Sequence, residues 1–474
     1  SVHSLGECTL FTSSGEVLAS IHTQWNDALP ENGEFVVDSD QKRSTTEHNT
    51  TADFVTRSDR ASTGWTTESA WVGTRTALTE ATGLHPDAYS DPDFFALEQK
   101  RVFERAWVVV GTAPEVAETG KLLVRNVGTR SIIITRDDGG ELHGFFNSCR
   151  HRGTELAEAD CEIAGTIRCP YHRWGYALDG QLISTPRFDE VPRTDFDKKD
   201  YGLAEVRVAT WGVLLFACLD PETPALDVWL GDLDERLAGY NLDDWVVQET
   251  RDIDINANWK LISENFQEYY HLTWVHPELS KVSRVHDHYR YQGNGMYCGQ
   301  TTTPVSGGDR NDWLVLPPAD GLDESDATSG RFVALFPNVL LSVLPNHVFV
   351  MQLDPVAPGS TKEHCTFLLP PNAGAVDDDA FEATRSFWFE VNDEDIDIVQ
   401  RGQRGLTRGA IPPGPLAPRF EEPLHRFHNM LADCMTADSL ATGLTIPAGD
   451  KPGNDAQLGS GTNPTPPAIE TAST

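Results

Sequence analysis

Two short Cys/His pairs carry the most specific chemistry in this sequence. Cys149-Arg-His151 is followed, after seventeen intervening residues, by Cys169-Pro-Tyr-His172. Two thiolates on one iron and two neutral imidazoles on the other would hold a [2Fe–2S] pair, and imidazole in place of thiolate raises its potential. Two Cys and two His also suit tetrahedral zinc, but zinc fingers favour paired Cys followed by paired His rather than two mixed halves. The other cysteines, Cys8, Cys161, Cys218, Cys298, Cys365 and Cys434, stand apart and read as small buried hydrophobes or surface thiols.

A second constellation lies further on, in NANWKLISENFQEYYHLTWVHP. His271 and His276 are five residues apart, about 140° on an ideal helix, so reaching one metal needs a local distortion. By spacing alone each reads as a surface or core histidine. A site that binds Fe(II) and O2 needs two His and one carboxylate on one face, with the remaining positions open. The segment FWFEVNDEDIDIVQ offers Asp393, Asp395 and Asp397. Helical spacing sets Asp395 beside Val391, Ile398 and Val399 on an apolar, core-facing stripe. Asp397 falls with Asp393, Gln400 and Arg401 on a solvated face, and Asp393 is intermediate. A surface charge run is the plainer reading of all three. Glu268, three residues before His271, shares a helix face with it, and an acid there can orient a metal-bound imidazole. The aromatics Tyr269, Tyr270, Trp274, Tyr289, Tyr291 and Tyr297 could cage a cation or simply fill a core.

The elements that must position these residues follow from the texture of the chain. Residues 1–80 are rich in Ser, Thr, Asp and Glu with little periodicity and read as a flexible extension. Residues 81–107 form a helical lead-in to the larger domain, its amphipathic helix starting at Asp91. Residues 108–219 are short β-rich runs with Asp-Gly turns at 138–139 and 179–180, which predicts a small all-β domain around the cysteine pairs. Residues 220–444 mix strand-like runs with a long helical segment after residue 378, which predicts an antiparallel sheet covered by helices. The chain is therefore α+β, and residues 445–474, rich in Pro, Gly and Thr, read as a disordered tail.

Composition narrows the function classes. Lys and Arg number 37 against 72 Asp and Glu, a formal charge of −35, which argues against nucleic acid and against anionic membranes. Only nine of the 37 bases are Lys. Abundant carboxylates with few lysines would suit a salty interior, where counter-ions screen self-repulsion; an ordinary acidic cytosolic enzyme is the alternative. Eight cysteines in 474 residues make no disulfide framework, and Cys beside His points to metal in a reducing compartment. The first residues lack a basic start and an apolar core, so no signal peptide is expected, and a cytoplasmic location follows.

The segment CRHRGTEL…CPYHRWGYALDGQL resembles the Rieske domain of ring-hydroxylating and related oxygenases, and the NWK…ENF…EYYH…HP stretch is similar to the catalytic domain of their large subunits. The resemblance spans roughly Asp91 to Cys434. It implies that Cys149, His151, Cys169 and His172 hold the cluster, that His271, His276 and Asp395 hold a mononuclear Fe(II), and that Glu268 links the two centres. Respiratory Rieske proteins carry two further cysteines where this chain has Thr154 and Tyr171, which disfavours that branch. Arg173 is a departure, since the oxygenase pattern has Gly before the Trp. The stretch at 264–271 is most like the branch acting on small quaternary amines. The resemblance further implies O2 and a small-molecule substrate, hydroxylated or oxidatively demethylated, and a homotrimer with or without a small β-subunit. No Gly-rich dinucleotide fingerprint and no plant-type ferredoxin run occur in the chain, so electrons must come from a separate NAD(P)H-dependent reductase, with or without a ferredoxin. The alternative is a Rieske electron carrier without oxygenase chemistry of its own.

Overall fold

The computed structural model describes residues 9–11, 17–20, 64–191, 193–302, 315–374, 378–409 and 411–444. The expected tail at 445–474 lies outside these residues, as does most of the expected extension. Thr9–Phe11 pairs antiparallel with Val17–Ser20 within a separate unit, Ser1–Asp53. The extension was expected to run to residue 80, but the described chain is folded from Gly64. Gly64–Thr66, Glu68–Trp71 and Val72–Arg75 are helical, and Trp65 and Trp71 are buried against Phe94, with ring centroids 5.0 and 6.4 Å away. Two indoles bury too much apolar surface for the segment to stay in water, a signal that Ser/Thr-rich composition conceals.

The expected helix at Asp91 forms as α1 (Pro92–Glu98), continued by a π-turn to Phe103. Asp91 caps it by accepting from the backbone N–H of Asp93 and Phe94, and Pro92 occupies the first position, where its missing N–H costs nothing.

The β-rich region folds as a seven-stranded antiparallel sheet. Its strands are β1 (Val108–Thr112), β2 (Lys121–Val127), β3 (Arg130–Arg136), β4 (Leu142–Phe146), β5 (Cys161–Glu162), β9 (Glu205–Trp211) and β10 (Leu214–Cys218), in the spatial order β1-β10-β9-β4-β3-β2-β5. A smaller sheet stands beside it, made of β6 (Ile167–Arg168), β7 (Gly175–Tyr176) and β8 (Leu182–Ser184). Both Asp-Gly turns sit in hairpins as expected, at β3–β4 and β7–β8. A compact core of Leu122, Ile133, Phe145, Leu156, Trp174 and Tyr176 holds Cys149 and Cys169 among its buried members.

A second seven-stranded antiparallel sheet follows in the larger region. It comprises β11 (Val246–Ile255), β12 (His288–Arg290), β13 (Tyr297–Thr302), β14 (Gly330–Leu335), β15 (Val339–Val343), β16 (Val348–Ala357) and β17 (Ser360–Leu369), in the order β11-β17-β16-β15-β14-β13-β12. Directly paired residues share a face of a sheet. The register Gln300↔Phe332↔Ser342↔Phe349↔Phe367 therefore sets one continuous row across five strands. The helices α2 (Trp259–Gln267), α4 (Asp378–Arg408) and α5 (Glu422–Thr436) cover that face, with the single turn α3 (Leu272–Val275) between α2 and α4 in the chain. Among the described residues no helix is long and apolar enough to cross a membrane.

Candidate active site and cluster loops

Two loops of matching shape present the Cys/His pairs. In the first, the N–H of Cys149 donates to the carbonyl of Thr154, and Gly153 donates back to Cys149. In the second, Cys169 donates to Trp174 and Arg173 donates back to Cys169. The fourth residue after each Cys must turn left-handed, and φ is 71° at Gly153 and 61° at Arg173. That explains why a Gly would be expected at 173: a side chain there is strained.

Both sulfurs are buried, and Cys169 is among the groups that act on the thiol of Cys149. Burial pushes that thiol up in pKa, against the lowering effect of the Tyr176 hydroxyl and the His151 backbone. Tyr176 accepts from the N–H of Arg150 at 3.1 Å, which leaves its own proton free to point at Cys149 Sγ, also 3.1 Å away. The rings of His151 and His172 lie with centroids 4.7 Å apart, and Trp174 stacks on His151 at 4.6 Å. His151 Nδ1 is buried with no hydrogen-bond partner. Two buried cysteine sulfurs and a buried imidazole nitrogen with nothing to bind are donors of the kind a Cys2His2 iron–sulfur cluster takes up.

The second site forms where α2 stops. Asn258 caps α2 by accepting from the N–H of Lys260, and the helix ends at Glu268, whose backbone is extended (φ −113°, ψ 158°). His271 then starts α3 and His276 ends it with φ −116° and ψ 72°. This is the distortion that the five-residue spacing demanded. Glu268 consequently does not share a helix face with His271, as the sequence suggested; it reaches the ring from the extended link, with Oε1 2.5 Å from Nδ1. The same carboxylate accepts from the backbone N–H groups of Tyr270 and His271, which pins the turn.

From α4 comes Asp395. Its Oδ1 lies 2.8 Å from His276 Nε2 and 3.4 Å from His271 Nε2, and the two Nε2 atoms are 3.2 Å apart. The three ligand atoms lie within 4.8 Å of one another. Asp393 is exposed, and so is Asp397, which pairs with Arg401 at 2.8 Å, so neither joins the cluster. Ile398, expected on the core stripe beside Asp395, is instead 38% exposed, because the buried stripe of α4 runs through Trp388, Asn392, Val399 and Gln403 and Ile398 falls outside it. Burial disfavours the charged imidazole at His271, but Asp395 and Glu268 outweigh it and hold the pKa up at about 10. His276 is raised in the same way, against burial, by Asp395 and then Glu394. Burial raises Asp395, but the two imidazoles reverse this and leave it lowered.

Glu394 is the residue that sequence reasoning missed. Its Oε2 lies 2.7 Å from His276 Nδ1, so each histidine offers Nε2 to the centre and Nδ1 to a carboxylate. That is the carboxylate–histidine arrangement of a metal site, in which the outer acid fixes the tautomer and raises ligand basicity. In the acidic run NDEDID it was hidden by its neighbours.

The triad opens into a cavity between the helices and the sheet. Phe266, Tyr269, Phe332, Phe349 and Trp388 give it aromatic walls; Gln300, Ser342 and Asn392 add polar ones. Of the aromatics proposed from sequence to cage a cation, only Tyr269 lines it. Tyr291 and Tyr297 are buried elsewhere, their hydroxyls on the Arg236 carbonyl and on Asp232, while Tyr270 and Trp274 are 54% and 82% exposed.

Comparison with known proteins agrees with this geometry. Residues 106–195 match the Rieske [2Fe-2S] domain, and residues 242–437 match the ring hydroxylating alpha subunit (catalytic domain). The chain is 31% identical over 400 residues to the glycine betaine monooxygenase oxygenase subunit of Chromohalobacter salexigens, covering 76% of this chain and 88% of that one. It is 32% identical over 206 residues to the biphenyl 2,3-dioxygenase alpha subunit of Rhodococcus jostii, covering 40% and 43%. In fold it is similar to the crystal structure of a quaternary ammonium Rieske monooxygenase in complex with L-carnitine, with a TM-score of 0.63 at 22% identity over 78% of this chain and 99% of that one. The chain belongs to the Rieske oxygenase large-subunit family. It is a terminal oxygenase component, with a [2Fe–2S] cluster and a mononuclear iron, dependent on an electron donor, O2 and a substrate.

Proposed function

We propose that this subunit hydroxylates or oxidatively demethylates a small quaternary ammonium compound. In this reading Cys149, His151, Cys169 and His172 hold the cluster, and His271, His276 and Asp395 hold the iron. The observation that carries it is the convergence of His271 Nε2, His276 Nε2 and Asp395 Oδ1 at the mouth of an aromatic-walled cavity. When bound, an Fe(II) on such a face supplies O2 activation at its open positions. The chain's own residues do the rest. Glu268 and Glu394 hold both imidazoles with Nε2 turned inward, and the walls seat the substrate and exclude water. Aromatic rings attract a cation by roughly 0.5–2 kcal/mol each, and the substrates named for two of the relatives are quaternary amines.

Glu268 accepts from the backbone of exposed Tyr270, Trp274 three residues after His271 is exposed as well, and Tyr171 is exposed beside His172 at the cluster end. We assign these surfaces to contacts between copies in a homotrimer, with Glu268 the acid that joins one copy's iron to the next copy's cluster. The protein acts in the cytoplasm with a separate NAD(P)H-dependent reductase, with or without a ferredoxin.

The test separates the centres. Cys149→Ser or His172→Ala should abolish the visible cluster absorption. His271→Ala, His276→Ala or Asp395→Ala should keep that absorption and lose the third iron and product formation. Glu268→Gln should load both centres, be reduced by dithionite, and yet lose single-turnover product. Full iron occupancy in Asp395→Ala would break the ligand assignment. Wild-type turnover in Glu268→Gln would make that residue an ordinary helix-end acid.

A further inference from the structure

Glu363 is a carboxyl group that neither metal site uses. It lies on β17 with no exposed surface, on the face of the sheet that carries Cys365 and Phe367 under the helices. Its Oε2 accepts from Asn392 Nδ2 at 2.9 Å, and its Oε1 has no hydrogen-bond partner. A fully buried acid with one oxygen left without a hydrogen bond is expensive to keep, so its position calls for a use. Burial pushes its pKa up to about 7, against the lowering effect of Asn392 and Cys365, and the charge of nearby Asp395 adds to the rise.

Asn392 connects this acid with the cavity. That residue is three before Asp395 on α4, so the two share a helix face, and both line the cavity. A side-chain amide is planar and carries a donor nitrogen and an acceptor oxygen on the same carbon, so engaging one end fixes the direction of the other. With Nδ2 held by Glu363, the carbonyl oxygen is the end of the amide left for a partner other than the acid, and Asn392 is a cavity-lining residue. Met351, which also lines the cavity, pairs directly with Cys365, two residues along β17 from Glu363. The acid is therefore embedded in the wall, one residue removed from the bound substrate, in a low-dielectric setting where a charge is felt strongly.

We propose that Glu363, acting through Asn392, is the charge-selecting residue of this cavity and gives it a preference for substrates bearing a fixed positive charge. The inference rests on the oxygenase reading of the same cavity and names its substrate class from a second, independent feature. Glu363 does not touch the substrate; it orients the Asn392 amide so that its negative end faces the cavity, and it adds its own negative charge behind it. A bound cation and the ionised carboxyl stabilise each other, as opposite charges in a buried site do.

The experiment compares choline and glycine betaine with their tert-butyl isosteres, in which carbon replaces the ammonium nitrogen, by equilibrium binding to the iron-loaded holoenzyme. Wild type should bind each ammonium compound at least about tenfold more tightly than its isostere, the order of discrimination a nearby buried charge supplies. Glu363→Gln should shrink that ratio towards one, leaving isostere affinity, cluster absorption and iron content unchanged. Asn392→Ala keeps the buried acid but removes its orienting partner, and should shrink the ratio in the same direction if the Gln variant does not fold. A wild-type ratio near one, an unchanged ratio in both variants, or equal loss of ammonium compound and isostere would overturn the proposal. Failure of the oxygenase reading would show differently, as a wild-type protein without a third iron and without O2-dependent product from any substrate.

Discussion

Glu394 is the side chain whose removal should separate metal affinity from cluster chemistry most cleanly. It touches only His276 Nδ1 within the triad, and losing an outer carboxylate of this kind typically costs 10–100-fold in metal affinity or activity. Glu394→Ala should therefore need about that much more Fe(II) for half-maximal activity, read by iron titration, while the cluster absorption stays at the wild-type level. Unchanged iron affinity would reduce Glu394 to a surface acid. Arg173 makes the opposite kind of prediction. A non-Gly residue at φ 61° costs about 1–2 kcal/mol, so Arg173→Gly should stabilise the cluster domain by roughly that amount in denaturant unfolding. A destabilised Arg173→Gly would mean that the guanidinium makes a compensating contact. At this scale the two Cys/His pairs stood out because that pattern has few other uses, whereas His271, His276 and Asp395 were marked by their surroundings and not by their spacing. Glu394 and Glu363 were not legible. Each became visible only when a partner distant in sequence, His276 or Asn392, came into hydrogen-bond range.

Elements explain why the cavity itself could not be read from the chain. Phe332, Ser342, Phe349 and Gln300 come from four strands and meet through cross-strand register, which no local spacing encodes. The helices were easier. The cap at Asp91 and the long run after residue 378 both appear where expected, α4 extending over Asp378–Arg408. Two contacts between elements carry testable energy. Lys260 of α2 and Glu98 of α1 form an ion pair at 2.7 Å with neither side chain exposed, and Trp259 Nε1 donates to the same carboxylate at 2.9 Å. Removing one partner leaves a buried charge, so Glu98→Ala should cost about 3–5 kcal/mol, measured as a drop in the urea midpoint. The Glu98→Met, Lys260→Met double variant should recover much of it; failure to recover would show that the pair also sets the register of α1 on α2. On the outer face of the second sheet, His364 of β17 bridges Asp252 of β11 at 2.7 Å and Asp354 of β16 at 3.1 Å. Burial lowers its pKa, but the two aspartates prevail and raise it. A raised folded value means that this stability is fully present below the ordinary pKa of about 6.5 and is lost as pH rises through the folded value. The Tm difference between wild type and His364→Gln should thus be largest below pH 6.5 and narrow above it. A difference that widened with rising pH would contradict the bridge.

At the scale of the whole molecule the question is what 72 acids and 37 bases do to the folded state. If every base were paired, 72 − 37 = 35 acids would still be left over. Some pairs are visible, as where Arg125 reaches Glu115 at 2.6 Å and Asp160 at 2.7 Å. Exposed pairs of this kind are worth about 0–1 kcal/mol each, and salt weakens them. Salt also weakens the repulsion among the surplus carboxylates, and the two effects oppose each other. The surplus decides the sign, because repulsion acts between every acid and all its neighbours within a screening length, whereas each attractive pair involves one partner. That length falls from about 10 Å at 0.1 M to about 3 Å at 1 M. Tm should therefore rise with KCl, by on the order of 5 °C if a few kcal/mol of repulsion is relieved. Most of the rise should come below about 1 M, where screening changes fastest. A preferential-exclusion effect, such as sulfate produces by strengthening burial of apolar surface, would instead keep growing with concentration. Melting curves in KCl and in sodium sulfate, matched in ionic strength, distinguish the two. Coincident early rises followed by a plateau in KCl alone would assign the gain to screened carboxylates. A Tm flat from low to molar KCl would show that the surplus charge is spaced widely enough to be harmless, and the adaptation to a salty interior would lose its physical basis.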